Sequence, residues 1–103
     1  MLIVFTTTST ASEAEILAKK IVAEKLAACV QVLPQMKSIY FWENEVRVDQ
    51  EHLLLIKTLE EKYPNLEEFI NQNHSYDVPE IVAVKSEKVS KGYLQWINDY
   101  LSH

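Results

Sequence analysis

The chain has 103 residues, a formal net charge of −5 and 48% apolar residues. One domain over residues 1–103 is expected, with a modest core, and the composition excludes a disordered chain. The acidic balance and the lack of a basic run argue against nucleic acid and anionic membranes as partners, and no apolar run nears the roughly 20 residues of a membrane-spanning helix.

The single cysteine, Cys29, excludes an internal disulfide and fits a reducing compartment. The apolar start at residues 2–5 has no basic flank and is too short for a secretory signal. The reading is a soluble, cytoplasmic protein.

Residues 2–8 predict a strand that is apolar on both faces and therefore central. A helix follows. Thr10-x-x-Glu13 and Ser12-x-x-Glu15 both fit a capping box, and Ala14, Leu17, Ala18, Ile21 and Val22 form one apolar stripe. Glu15–Lys19 and Lys20–Glu24 have ion-pair spacing. No glycine ends this helix, and a stop near Leu26 or Ala27 is expected. Residues 28–32 open a second strand. Pro34 cannot donate a ladder hydrogen bond, so it marks an edge or a bulge. Strand character resumes at residues 38–42, and Glu43-Asn44 is the expected turn, since Asn tolerates positive φ.

Val46, Val48 and the run Glu51-His52-Leu53-Leu54-Leu55-Ile56-Lys57-Thr58 make the third strand. Alternation puts Leu53 and Leu55 on one face and Leu54 and Ile56 on the other. Such a strand belongs in the middle of a sheet covered on both sides. Pro64 suits the first turn of a second helix, with Tyr63, Leu66, Phe69 and Ile70 as its apolar side and an end near Asn73. Residues 74–80 read as a loop in which Pro79 holds Val78 extended. Residues 81–84 form the fourth strand. Ser90 is placed to cap a last helix carrying Tyr93, Leu94, Trp96, Ile97, Tyr100 and Leu101.

The order β-α-β-β-α-β plus a terminal helix predicts an α+β, ferredoxin-like sandwich with a long hairpin between its second and third strands. Two helices cover one face of the four-stranded sheet and leave the other bare. Val30 to Trp42 would reach about 43 Å, against a diameter of roughly 33 Å for a compact domain of this size. The hairpin must bend or project, carrying Tyr40, Phe41 and Trp42. The bare face and the projecting hairpin are independent arguments for self-association.

Five groups of residues, in order and with matching spacing, resemble the CutA divalent-cation-tolerance family. They are Ala27-Ala28-Cys29-Val30, Ser38-Ile39-Tyr40-x-Trp42, Glu51 with Lys57-Thr58, His74-x-Tyr76-x-Val78-Pro79-Glu80-Ile81, and Tyr93-Leu94-x-Trp96-Ile97. The resemblance covers nearly the whole chain. It implies a ferredoxin-like homotrimer whose long hairpins pair between subunits, an assembly similar to that of PII signalling proteins, and a role in tolerance of copper and other divalent metals. Four positions depart from the pattern. Thr6 stands where metal-binding members place Cys, and Asn73-His74 stands where they place a His pair. Ser75 replaces the usual Pro, and Asn44 replaces a Gly at the hairpin tip. The first two argue against tight copper binding.

Cys29 and His74 offer the thiolate and imidazole that suit copper or zinc; the plainer reading makes Cys29 a small core residue. Tight sites want three or four ligands. His74, Tyr76, Asp77 and Glu80 share one loop. They would offer an imidazole and carboxylates to a cation or small ligand in a subunit cleft, with low affinity for a hard cation. Alternatively the loop is structural, its acids bonded to backbone or lysines and Tyr76 packed between subunits. Lys57 would meet an anionic ligand or a neighbour's carboxylate such as Glu51, and Trp42 would stack on a ligand or seal an interface. His52 and His103 read as solvent-facing.

No cofactor is required; copper or another divalent cation is the ion implied. No nucleophile–base spacing, P-loop or dinucleotide fingerprint is present, so the reading is not an enzyme. RNA-binding modules of this plan need exposed strand aromatics and basic flanks; here the third strand carries leucines. Metallochaperones of this plan carry Cys-x-x-Cys in the first loop, where this chain has Thr6-Thr7-Thr8-Ser9. The expected function is a homotrimer that binds divalent cations or small ligands weakly at subunit clefts. The alternative is a PII-like trimeric scaffold that senses a metabolite or docks a partner protein.

Overall fold

The computed structural model describes residues 1–102; His103 lies outside them. The elements are β1 (Leu2–Thr8), α1 (Ala11–Ala23), β2 (Cys29–Val32), β3 (Met36–Trp42), β4 (Glu45–Thr58), α2 (Tyr63–Asn73), β5 (Val82–Lys85) and α3 (Lys91–Leu101). A single 3-10 turn, Glu60–Lys62, leads into α2. Every strand pair is antiparallel, in the order β2-β4-β1-β5, and β3 continues along β4 past the end of β2. This is the ferredoxin-like plan, with β1 and β4 central as their two-faced apolar pattern requires.

The expected second strand is two strands. Passing from Val32 opposite Leu54 to Met36 opposite Glu51 takes four residues on one side and three on the other. The extra residue, in the stretch around Pro34, is a bulge. It changes which side chains share a face. Val30 and Val32 of β2 lie on the side of Leu54 and Ile56, and beyond the bulge Ile39 and Phe41 take that side. The hairpin closes on Glu43 and Asn44, at φ 50° and 63°, the positive values that a two-residue type I′ turn demands. Far from folding back, the hairpin projects: the molecule measures 45 Å along its long axis against 26 and 23 Å across.

One face of the sheet carries the core. Leu2, Val4, Leu54 and Ile56 pack against Ala14, Leu17 and Ile21 of α1 and Leu66 and Ile70 of α2. Thr10 caps α1 by accepting the Glu13 N–H at 3.1 Å. The helix ends at Ala23, earlier than expected, without glycine. Lys25 takes φ 56°, its N–H bonds the Val22 carbonyl, and the Leu26 N–H bonds the Ile21 carbonyl. That is a Schellman stop, with Leu26 packing on the core cluster to which Ile21 belongs. Glu15 and Lys19 pair at 3.0 Å; Lys20 and Glu24 form no ion pair. Ser90 occupies the N-cap of α3 but makes no side-chain capping bond.

Ile97 and Leu101 of α3 pack on Ala28 with Met1 and Leu59, at one end of the sheet. The rest of the second face is open. Ile3, Phe5, Leu53 and Leu55 are half-buried there, and Val82 and Val84 remain 51% and 49% exposed. The arm formed by β3 and the first half of β4 is barer still, with Ile39 70%, Phe41 67% and Val46 69% exposed.

Candidate functional site

Three parts of the fold meet the end of β1: the first turn of α1, the loop after α2, and the base of the arm. His74 is the pin of this junction, its side chain wholly buried. Its Nε2 lies 2.6 Å from the Thr7 carbonyl oxygen and its Nδ1 accepts the Tyr76 N–H at 3.0 Å. A carbonyl only accepts, so Nε2 carries the proton and Nδ1 is the acceptor. Both ring nitrogens are therefore engaged with backbone.

Glu13 holds the same loop from the helix side. Its two oxygens accept the Ser75 N–H and Oγ–H, each at 2.9 Å. This explains why Glu13 does not complete the capping box toward Thr10. Tyr76 reaches the arm: its hydroxyl donates to Glu51 at 2.8 Å, and its ring lies 4.7 Å from that of His74. Burial pushes the Tyr76 phenol up from its ordinary value, followed by the bond to Glu51 and the negative charges of Glu51, Glu13 and Asp49. Along the arm Tyr40 donates to Asp49, which raises the Tyr40 phenol as well.

Asp77 and Glu80 point out to solvent from this loop, and neither has a partner among the described residues. Val78 is 89% exposed between them, while Pro79 is buried. An open groove of about 540 Å³ runs beside the junction, lined by Thr10, Ser12, Glu13, Ile16, Lys20 and Ser75 among others.

The remaining candidates lie elsewhere. Cys29 is half-buried and opposite Lys57 on the open face, not in the core. Lys57 is four residues along β4 from Leu53, the partner of Thr7. That separation is about 13 Å, so Cys29 and His74 form no common site within one chain. Trp42 sits at the tip of the arm, six residues beyond Glu51 in the register and 59% exposed, its indole N–H given to Glu43 at 2.7 Å. Thr6 faces the helices, fully buried, with its hydroxyl unpartnered among the described residues. His52 is half-buried rather than solvent-facing.

Within one chain no thiolate and imidazole metal set comes together. The His74 nitrogens are spoken for, Cys29 is on a different face from Thr6, and the described residues contain no group of three His, Cys, Asp or Glu able to hold an ion. The residues that sequence reasoning missed are Glu13 and Ser75. Their signal was the unused second half of the Thr10-x-x-Glu13 box, which only the fold connects to a loop 62 positions away.

Comparison with known proteins settles the family. The family model for the CutA1 divalent ion tolerance protein matches residues 2–100. The chain belongs to the CutA1 divalent ion tolerance family. A divalent cation tolerance protein structure from Thermus thermophilus shares 42% identity and a TM-score of 0.93, covering 97% of this chain and 98% of that one. The structure of the periplasmic divalent cation tolerance protein CutA from Archaeoglobus fulgidus gives 32% identity and a TM-score of 0.94 over 98% of this chain and 99% of its own. The chloroplastic CutA protein of Arabidopsis thaliana is 42% identical over 95% of this chain, which spans 54% of that relative. The chain thus spans about half the length of the plant relatives it matches. The names of the Thermus and Archaeoglobus proteins speak of divalent cation tolerance. No helix among the described residues is long and apolar enough to cross a membrane.

Proposed function

We propose that the chain serves divalent-cation tolerance as a non-catalytic homotrimer, and that it binds divalent cations weakly, through carboxylates that meet only when copies assemble. The observation that carries this reading is the exposed apolar surface of the arm and of the second sheet face. Burying even about 600 Å² of such surface contributes on the order of 15 kcal/mol gross, before the costs of association. The number three comes from the resemblance described above. Asp77 and Glu80, exposed and without a partner among the described residues, are carboxylates placed to meet a cation across a subunit boundary. The single cysteine supports a cytoplasmic setting.

Titration calorimetry of the assembled protein with copper and with zinc tests the cation part. Binding near 0.1–1 mM is expected, about the range reached by carboxylate sites with few ligands. Micromolar or tighter copper binding that disappears in Cys29→Ser would replace this reading with a thiolate site. No heat with either ion would remove cation binding altogether.

A further inference from the structure

Lys57 is a cation set into an apolar face. Across the open side of the sheet its neighbours are Cys29 on β2 and Ile3 on β1, with Val84 beyond on β5. Leu55 stands two residues away along β4. The side chain is half-buried, and among the described residues no carboxylate comes within ion-pair reach of it. Lys19 and Lys85, both far more exposed, do find glutamates. The Lys57 ammonium instead lies 5.4 Å from the centroid of Tyr93, whose ring stacks on Trp96 at 5.9 Å.

A ring face offsets only part of the cost of withdrawing an ammonium from water; an anion offsets far more. The charge here is single, and apart from the Cys29 thiol its neighbours on the sheet are aliphatic. Phosphate would call for several donors. We infer that Lys57 and Tyr93 bind a small monocarboxylate with an apolar body, the carboxylate on the ammonium and the body over Ile3, Leu55 and Val84. This rests on the assembly proposed above, with a cleft left open between copies at Lys57, and is independent of cation binding.

Benzoate is the probe, with benzamide as its uncharged match. Calorimetric titrations of the wild-type protein, Lys57→Arg and Lys57→Gln, each with its sedimentation coefficient recorded, test the assignment. Saturable benzoate binding is expected in the wild type, retained in Lys57→Arg, weakened about tenfold or more in Lys57→Gln, and absent with benzamide. Equal binding of benzoate and benzamide, or unchanged binding in Lys57→Gln, overturns it. So does a wild-type trimer that binds no benzoate. If that trimer also dissociates in Lys57→Gln, the counter-ion of Lys57 is a carboxylate of the neighbouring copy. A wild type that sediments as a monomer sinks the cleft between copies, and the benzoate titration then reads the Lys57 surface by itself.

Discussion

At the scale of single residues, the junction at His74 is a structural lock. One imidazole joins the end of β1 to the loop after α2, and Glu13 and Tyr76 tie that loop to α1 and to the arm. His74→Ala would leave the Thr7 carbonyl and the Tyr76 N–H without their partner. A loss of about 2–4 kcal/mol in urea unfolding is expected, with faster hydrogen exchange at the Tyr76 amide. Unaltered protection of that amide would show that the loop does not depend on the ring. Tyr76 gives a pH signature. Its folded phenol keeps its proton above the ordinary 10.0, so the unfolded chain releases that proton first as the pH rises. Its contribution is complete below about pH 10 and declines as the pH climbs toward the raised folded value. Tyr76→Phe should flatten that alkaline decline in unfolding free energy; an identical profile would mean the phenol is not held by Glu51. Residue types at this site were readable from the chain, and His74, Tyr76 and Glu51 were all singled out. Their partners were not, because Thr7 and Glu13 lie more than 60 positions from the loop they hold.

Among elements, β4 sets the architecture. Its second half is the central strand between β1 and β2, and its first half leaves the sheet to make the arm with β3. Alternation in the run from Leu53 to Ile56 was enough to place it centrally. The break at Pro34 was legible as a bulge, since proline cannot join a ladder, but the face reversal needs the register count. The premature end of α1 was not legible. A Schellman stop usually advertises itself with glycine, and here Lys25 accepts the left-handed conformation. The hairpin tip has the same character. Asn44 suits positive φ, whereas Glu43 does not, and an L-residue there costs about 1 kcal/mol or more. Glu43→Asn should raise stability by up to about 1 kcal/mol at fixed protein concentration. A decrease would mean that the Glu43 contacts to Trp42 and Arg47 outweigh the backbone cost.

For the whole molecule, the governing fact is that α1 and α2 cover one side of the sheet while the arm and much of the other side stay bare. Composition and element order already implied this imbalance: two main helices cannot cover two faces. The most direct test is sedimentation equilibrium of the wild-type chain and Phe41→Asp at micromolar concentration. Phe41 is exposed in the single chain, so the substitution leaves its core intact. The wild type should run at three times the 11.9 kDa chain mass, and Phe41→Asp should fall toward the mass of one chain while keeping its helical signal. A wild-type protein that remains folded, soluble and monomeric would contradict the account.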